Sequence, residues 1–468
     1  MKHKVLLKKQ AMETNQSTKE KTVFQQLQES VGAKLFLIAV LTLLLLIPSS
    51  WIQYLIEERQ GRQDEAIQEI SSKWSGPQLI ESPILQLPYK TWIKSTDVNG
   101  KQTLKESLST IYLLPETLDI QTAVKPEILH RGIFDAVVYH AKIRLNGKFS
   151  ALEWKKSGIN PEMILWDKAK IVAGISDFKG LKNTPIIKID GQSYTAEPDF
   201  ATENLFANNL GVQIDLAATK NSAIQFNYDL ELRGSEALNF LHLGKNSTIK
   251  VNGDWNNPSF TGAFLPESRN ITEKQFGSTW KMSNFNRPFP QQWISGQQVL
   301  TPQNKIKATF GVKFLLPVDQ YQKTMRSAKY AILIILLSFI SLFFIELLNK
   351  VKVNLLQYVL IGAAMIIYYT LLLSFTEQVG FALAYFIASA ATVILVSTFI
   401  GAFLRNKKAA MAFALILSIF YSFIYVIIQL QDLALLFGSI GLFITVACLM
   451  YFSVKINWNK PEELPTQA

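Results

Sequence analysis

The chain has 468 residues, of which 49% are hydrophobic and 18% charged; ordinary soluble domains carry about 25% charged residues, so the balance excludes a typical soluble enzyme. Its one cysteine, Cys448, excludes an internal disulfide framework and a CxxC-type metal or redox site. The formal charge of +11 is diffuse in the middle of the chain and gathered at apolar segment edges elsewhere, which excludes the basic stripe of a nucleic-acid binder and suits membrane lipid as a partner.

Residues 1–34 form a basic segment with seven Lys+Arg against three Asp+Glu. Ser17-x-x-Glu20 has the form of a capping box. Val23, Phe24, Leu27 and Val31 then share one helical face. The pattern predicts a short helix on the membrane surface; a tail with chance periodicity is the alternative.

Residues 35–56 predict the first membrane span. Pro48 falls inside it and is expected to kink the helix, and Trp51 and Tyr54 fit an interfacial aromatic belt. A cleaved signal peptide is disfavoured, because 34 residues precede the apolar run and no A-x-A site follows it. The helix is expected to continue outward with Ile67, Ile70 and Trp74 on one stripe, until Gly76-Pro77 stops it.

Residues 57–329 read as one large β-rich domain. Four two-residue turn signals occur: Asn99-Gly100, Asn146-Gly147, Asp190-Gly191 and Asn252-Gly253. Alternating β-prone runs flank them, such as Ala141–Leu145, Ile186–Ile189 and Thr248–Val251. These predict a mainly antiparallel sandwich or open barrel.

Five more spans are expected within 330–454, at about 330–348, 353–374, 379–403, 409–429 and 433–454. Lys350 and Lys352 occupy the first short turn; Arg405, Lys407 and Lys408 occupy the third. The other turns hold Glu377 and Asp432 without Lys or Arg. Basic turns stay in the cytoplasm. Six spans therefore predict cytoplasmic termini, a cytoplasmic tail at 455–468 and an extracytoplasmic β domain inserted between the first and second transmembrane helices. The fold class is thus a multi-pass α-helical membrane protein with a large β-rich outer domain.

Catalytic signals are sparse. His130 and His140 flank a strand but lack metal-site spacing. Neither G-x-S-x-G nor a Walker motif occurs, so no cofactor and no enzyme activity are expected. No span carries a charge near its centre; Glu346 lies close to a cytoplasmic end and is expected to pair with a lysine or snorkel. Gln357, Tyr358, Tyr368, Tyr369 and Tyr385 are expected to join helices rather than line a path. Trp255, Phe260 and Phe264 mark an irregular corner of the β domain, since Pro258 denies a ladder hydrogen bond. Phe260 and Phe264 are expected to point inward; Trp255 is left open between core and binding patch.

The chain resembles the CreD family of bacterial inner-membrane proteins. The likeness runs from about residue 35 to 458. It includes Leu44-Leu45-Leu46-Ile47-Pro48, Ser75-Gly76-Pro77-Gln78 and Trp255-x-x-Pro258-Ser259-Phe260-x-Gly262-x-Phe264-Leu265-Pro266. It continues with Pro317-Val318-Asp319-x-Tyr321, Lys329-Tyr330-Ala331, Tyr369-x-Leu371-Leu372-Leu373-Ser374 and Glu377. Gln378 departs from the His expected in many relatives. The resemblance implies production under the CreBC two-component system in some bacteria, and a part in envelope integrity, colicin tolerance and the response to cell-wall-active antibiotics. It implies no catalytic residues.

Two readings follow. In the first, the outer domain binds an envelope protein or an unknown ligand. In the second, the five-helix bundle transports a substrate or handles lipid. A groove lined by Gln357, Tyr368, Tyr385 and Gln429 would favour the second, and a packed bundle with a concave β-domain patch the first.

Overall fold

The computed structural model describes residues 31–96, 102–153, 158–200, 205–316, 320–349, 351–430 and 433–454. The surface helix expected after Ser17, the Asn99-Gly100 turn and the 455–468 tail lie outside the described residues. The chain divides into a helical unit, 1–60 with 319–468, and a β unit, 61–318. Residues 320–329, read with the β domain from sequence, group with the helices.

The first helix, α1 (Val31–Trp74), runs through Pro48 without ending there. Proline removes one backbone hydrogen bond and crowds the carbonyl four residues back, while in a bilayer the neighbouring turns must keep their bonds. The helix stops before Gly76-Pro77 as expected. Its last turns belong to the β unit, where Trp74 meets the His140 ring edge-on at 5.4 Å and lies under the Arg233 guanidinium at 5.2 Å.

Among the described residues seventeen strands follow. In chain order they are β1 (Gln78–Thr96), β2 (Gln102–Leu113), β3 (Thr117–Arg131), β4 (Phe134–Phe149), β5 (Ala169–Ile175) and β6 (Ile186–Ile189). Next come β7 (Gln192–Thr195), β8 (Glu197–Asp199), β9 (Asn208–Ile214), β10 (Ile224–Ser235), β11 (Ala237–Leu241) and β12 (Asn246–Gly253). The last are β13 (Pro258–Gly262), β14 (Ser268–Ile271), β15 (Phe276–Ser283), β16 (Gln292–Ile294) and β17 (Thr309–Phe314). One sheet runs β13-β17-β11-β1-β5-β9-β8, with β2 and β16 beside β1; the other runs β14-β15-β12-β3-β4-β10-β6-β7. Two pairs are parallel, β1 with β11 and β3 with β12; the rest are antiparallel. One apolar core draws on both sheets, from Ile80, Leu85 and Phe240 to Ile120, Leu145 and Trp280. The domain is therefore a sandwich.

The turn signals fared unevenly. Asp190-Gly191 is a two-residue hairpin between β6 and β7, with φ +46° and +88°. Asn146-Gly147 is no turn: it lies inside β4, opposite Asn227 and Phe226. A Cβ at Gly147 would stand 2.3 Å from the Phe226 ring, so this glycine serves close packing. Asn252-Gly253 likewise ends β12, paired with Gly277 and Phe276. The β3–β4 hairpin instead turns at Gly132-Ile133, with Gly132 at φ +62°.

The helical unit adds a short helix, α3 (Gln320–Lys329), after the one-turn α2 (Pro302–Ile306) of the β unit. Five apolar helices complete it: α4 (Ala331–Asn349), α5 (Leu355–Val379), α6 (Phe381–Leu404), α7 (Lys407–Gln429) and α8 (Ala434–Val454). With α1, six helices among the described residues are long and apolar enough to cross a membrane. The chain is a multi-pass membrane protein with a β domain between its first and second spans.

Candidate functional site

The residues singled out from sequence fall at three places. At one end of the bundle, Glu346 is 5% exposed. It is neutralised by an ion pair with Lys34, accepts the Val353 backbone N–H at 3.1 Å and the Tyr358 hydroxyl at 3.2 Å. A carboxylate with this many partners ties α1, α4 and α5 together. Gln357 belongs to the same end, where its Oε1 accepts the Asn354 N–H as part of a capping box. It lines no groove.

At the other end lies α3. Tyr321, Thr324, Ser327 and Ala328 are buried, a spacing that gives the helix one inward face. Tyr321 donates its hydroxyl to Glu377 at 3.0 Å, and the Arg59 Nε of α1 stands 3.9 Å from the same carboxylate. Lys323 donates to Gln429 Oε1 at 2.9 Å and sits 5.9 Å from the Phe381 ring centre. Arg326 donates to the Ile427 carbonyl at 3.3 Å. Glu377 and Gln429 are thus brought to one belt, on helices 52 positions apart in sequence.

Below this belt the bundle is rich in tyrosine. Tyr368 lies 4.7 Å from Tyr369 and 4.7 Å from Tyr421, ring centre to ring centre. Tyr385 donates its hydroxyl to the Tyr421 carbonyl at 2.7 Å. Phe381 stacks on Tyr425 at 6.5 Å. Tyr385 from α6 and Tyr421 and Tyr425 from α7 line a groove of about 600 Å³ between these helices, with Ser389, Ser418 and Ser422 among its other lining. Tyr368 is fully buried and stands behind this lining rather than in it. Sequence reasoning missed Lys323, Arg326, Tyr421 and Tyr425. The signal for the first two was present: Tyr321, Thr324 and Ala328 on one face of a segment with three basic and no acidic side chains.

In the β unit, Trp255 is 9% exposed and donates its indole N–H to the Leu315 carbonyl at 3.1 Å. Phe260 and Phe264 are partly buried against the same core. Phe260 meets Trp280 edge-on at 5.8 Å, and Phe264 meets His242 edge-on at 6.3 Å. His130 and His140 are not brought together. Their rungs are five apart in the β3–β4 ladder, roughly 16 Å along a strand; His130 pairs with Asp135 at 2.6 Å. Among the described residues no group of three or more metal-ligating side chains occurs. An open concave surface of this unit, of about 710 Å³, is lined by Asp119, Asn146, Lys148, Thr248 and Lys281 among others.

The prominent apolar surface of the β unit is elsewhere. Beyond Tyr89, β1 pairs only with β2, from Lys90–Leu108 to Thr96–Gln102. This two-stranded arm leaves Trp92 at 49%, Ile93 at 51%, Leu104 at 68% and Leu108 at 61% exposed. Period-two alternation puts Trp92, Leu104 and Leu108 on one face, with Lys90 and Lys94 beside them.

The comparisons with known proteins agree with this architecture. The family described as "Inner membrane protein CreD" matches residues 30–459. The chain is 30% identical to the Escherichia coli (strain K12) protein named "Inner membrane protein CreD" over 418 residues, which is 89% of this chain and 91% of that one. A match over nearly the whole length, spans and sandwich together, makes this chain a member of the CreD family of inner-membrane proteins.

Proposed function

We propose that this protein supports envelope integrity without catalysis, by holding its β domain outside the cytoplasm and offering the β1–β2 arm to an envelope protein. The arm carries the reading. An isolated two-stranded hairpin is marginal in water, yet this one extends past the sandwich with Trp92, Leu104 and Leu108 uncovered on one face and Ile93 on the other. An exposed apolar face of that kind marks a protein contact. Lys94 lies on the same face and suits an acidic rim on the partner, while Lys90 is paired with Glu106 at 2.9 Å.

The placement outside rests on charge. Lys352, Arg405, Lys407 and Lys408 lie at one end of the bundle helices and Glu377 at the other, and basic turns are retained in the cytoplasm. Both termini are then cytoplasmic. The roles implied by the family resemblance, in envelope stress and in tolerance of colicins and cell-wall antibiotics, would follow from the partner's identity.

The test is a photo-crosslinking residue at position 104 in the full chain, in intact cells. The reading expects one discrete adduct, absent in the Trp92→Ser/Leu108→Ser variant at normal abundance, together with reduced antibiotic or colicin tolerance. No adduct, with normal abundance and normal tolerance in the variant, would refute it.

A further inference from the structure

We infer that the α6–α7 groove and the basic end of α3 together form a binding site for one anionic phospholipid, in the leaflet on the α3 side of the bundle. The inference is independent of the partner reading above and of which side of the membrane that leaflet faces.

The groove has the depth of a lipid chain. Its α6 wall runs from Ala382 to Ile394 and its α7 wall from Val426 back to Ser418. Twelve steps of helix rise cover about 18 Å. That is a little more than half of a hydrocarbon layer of roughly 30 Å, which suits an acyl chain anchored at one surface. The lining is mainly apolar, with small side chains such as Ala382, Ala390 and Ser418 leaving the space. Its wall is open to the side, where α6 and α7 expose Phe386, Ile394 and Val426, so a chain can enter from the bilayer without unfolding anything.

The groove also has a head end of defined charge. Phe381 stacks on Tyr425, a groove residue, and Lys323 lies over Phe381. Gln429, one turn beyond Val426, accepts from Lys323 and orients it. Arg326 lies one turn along α3, held by the Ile427 carbonyl. Among the described residues neither cation is paired with a carboxylate, and each keeps donors free beyond its one uncharged acceptor. Lys329 adds a third, exposed charge on the same helix, and α3 contains no acidic residue. Glu377 is the carboxylate of this belt, and it is already engaged by Tyr321 and Arg59. A phosphate at Lys323 and Arg326 would therefore meet two positive groups held in place on a helix that carries no acidic residue. A zwitterionic headgroup would bring its own cation to the same place, which is why the site favours a net anionic lipid. Ser422 and Tyr425, one to two turns below Lys323, offer hydroxyls at the depth of the ester groups. The hydroxyl of Tyr421, deeper on the same wall and 2% exposed, has no hydrogen-bond partner, so the wall holds an unmet polar group that a bound molecule or an accompanying water can satisfy.

The test uses the purified full chain in a neutral detergent, titrated with dioleoyl phosphatidylglycerol or dioleoyl phosphatidylcholine and read by native mass spectrometry and thermal unfolding. The expected result is one retained phosphatidylglycerol with a raised unfolding temperature, and no such retention of phosphatidylcholine or stabilisation by inorganic phosphate. Lys323→Gln/Arg326→Gln should weaken phosphatidylglycerol about thirtyfold, from about a fivefold contribution per basic group near a lipid surface. Lys323→Arg should keep binding, which separates charge from fold. Ala390→Trp, which fills the groove without touching the head end, should also abolish retention while the lipid-free unfolding temperature stays near that of the parent. Equal retention of both lipids, or unchanged phosphatidylglycerol retention in both the double variant and Ala390→Trp, would overturn the inference.

Discussion

Tyr321 of α3 donates its hydroxyl to the Glu377 carboxylate of α5 at 3.0 Å, and so fixes a short amphipathic helix to the end of a membrane span. Burial first, and the neighbouring carboxylate second, push the Tyr321 phenol above its ordinary range, so it remains a donor at any physiological pH. Arg59 is the further charged partner of Glu377, at 3.9 Å. Replacing Tyr321 by Phe removes the shorter contact and leaves the shape. The loss should be about 1–2 kcal/mol, as for a hydrogen bond to a charged group that is partly exposed. It should appear as a few degrees lower unfolding temperature in detergent. Glu377→Gln should cost less, because an amide oxygen still accepts from the phenol. An unchanged temperature in Tyr321→Phe would show that α3 is held by its apolar face alone.

His242 gives the β unit a pH response. Its ring is 1% exposed, Nε2 donates to the Ser283 carbonyl at 2.9 Å and Nδ1 has no partner. Burial lowers its pKa to about 4, with the nearby Arg287 guanidinium acting in the same direction. In the unfolded chain the imidazole titrates near 6.5. Between those values the unfolded state binds the extra proton. Stability is therefore complete above pH of about 6.5 and falls as the pH drops toward 4, by up to about 3 kcal/mol. His242→Gln should flatten the pH dependence of unfolding in that window, even if it lowers stability at pH 7.5. Parallel curves for the two proteins between pH 4 and 6.5 would contradict the assignment. Arg287 lies beside this ring, with the Glu116–Lys245 ion pair next to it.

Two Asx-Gly pairs that look alike in sequence should respond differently to substitution. Gly147 lies in β4 with the Phe226 ring 2.3 Å from where its Cβ would be and the Thr117 carbonyl at 2.7 Å. Gly147→Val should cost about 3 kcal/mol or more, by overpacking a place walled by backbone. Gly191 turns in the open, with nothing within 4 Å of a built Cβ and φ at +88°. Gly191→Asn should cost under about 1 kcal/mol, since Asn tolerates that region. Thermal unfolding of the two variants checks the order, and equal losses would refute it.

That contrast shows where the sequence was legible. The spans were readable because length, apolarity and charge at the turns are local properties. The strand content was readable from alternation, as in Ile186–Ile189 and Thr248–Val251. The position of a glycine was not: Asn146-Gly147 and Asp190-Gly191 differ only in whether a partner strand delivers an aromatic ring, and Phe226 is 79 positions away. The same limit hid the belt at α3. Glu377 and Tyr385 were picked out for their polarity inside apolar runs, but Lys323 meets Gln429 only after α5, α6 and α7 have folded back. Gln357 misled for the opposite reason, since its role is local, in a cap three residues long.

The central claim is that the β domain lies outside the cytoplasm. Cys448→Ser followed by single cysteines at Gly132, an open turn of the β3–β4 hairpin, and at Asn406, at the start of α7, allows it to be read directly. Intact cells, with outer membranes made permeable, are treated with a membrane-impermeant maleimide. The account predicts labelling at position 132 and none at 406 until the inner membrane is broken. Labelling at 406 in intact cells with protection at 132 would place the domain inside, and the proposed contact between the β1–β2 arm and an envelope protein would fall with it.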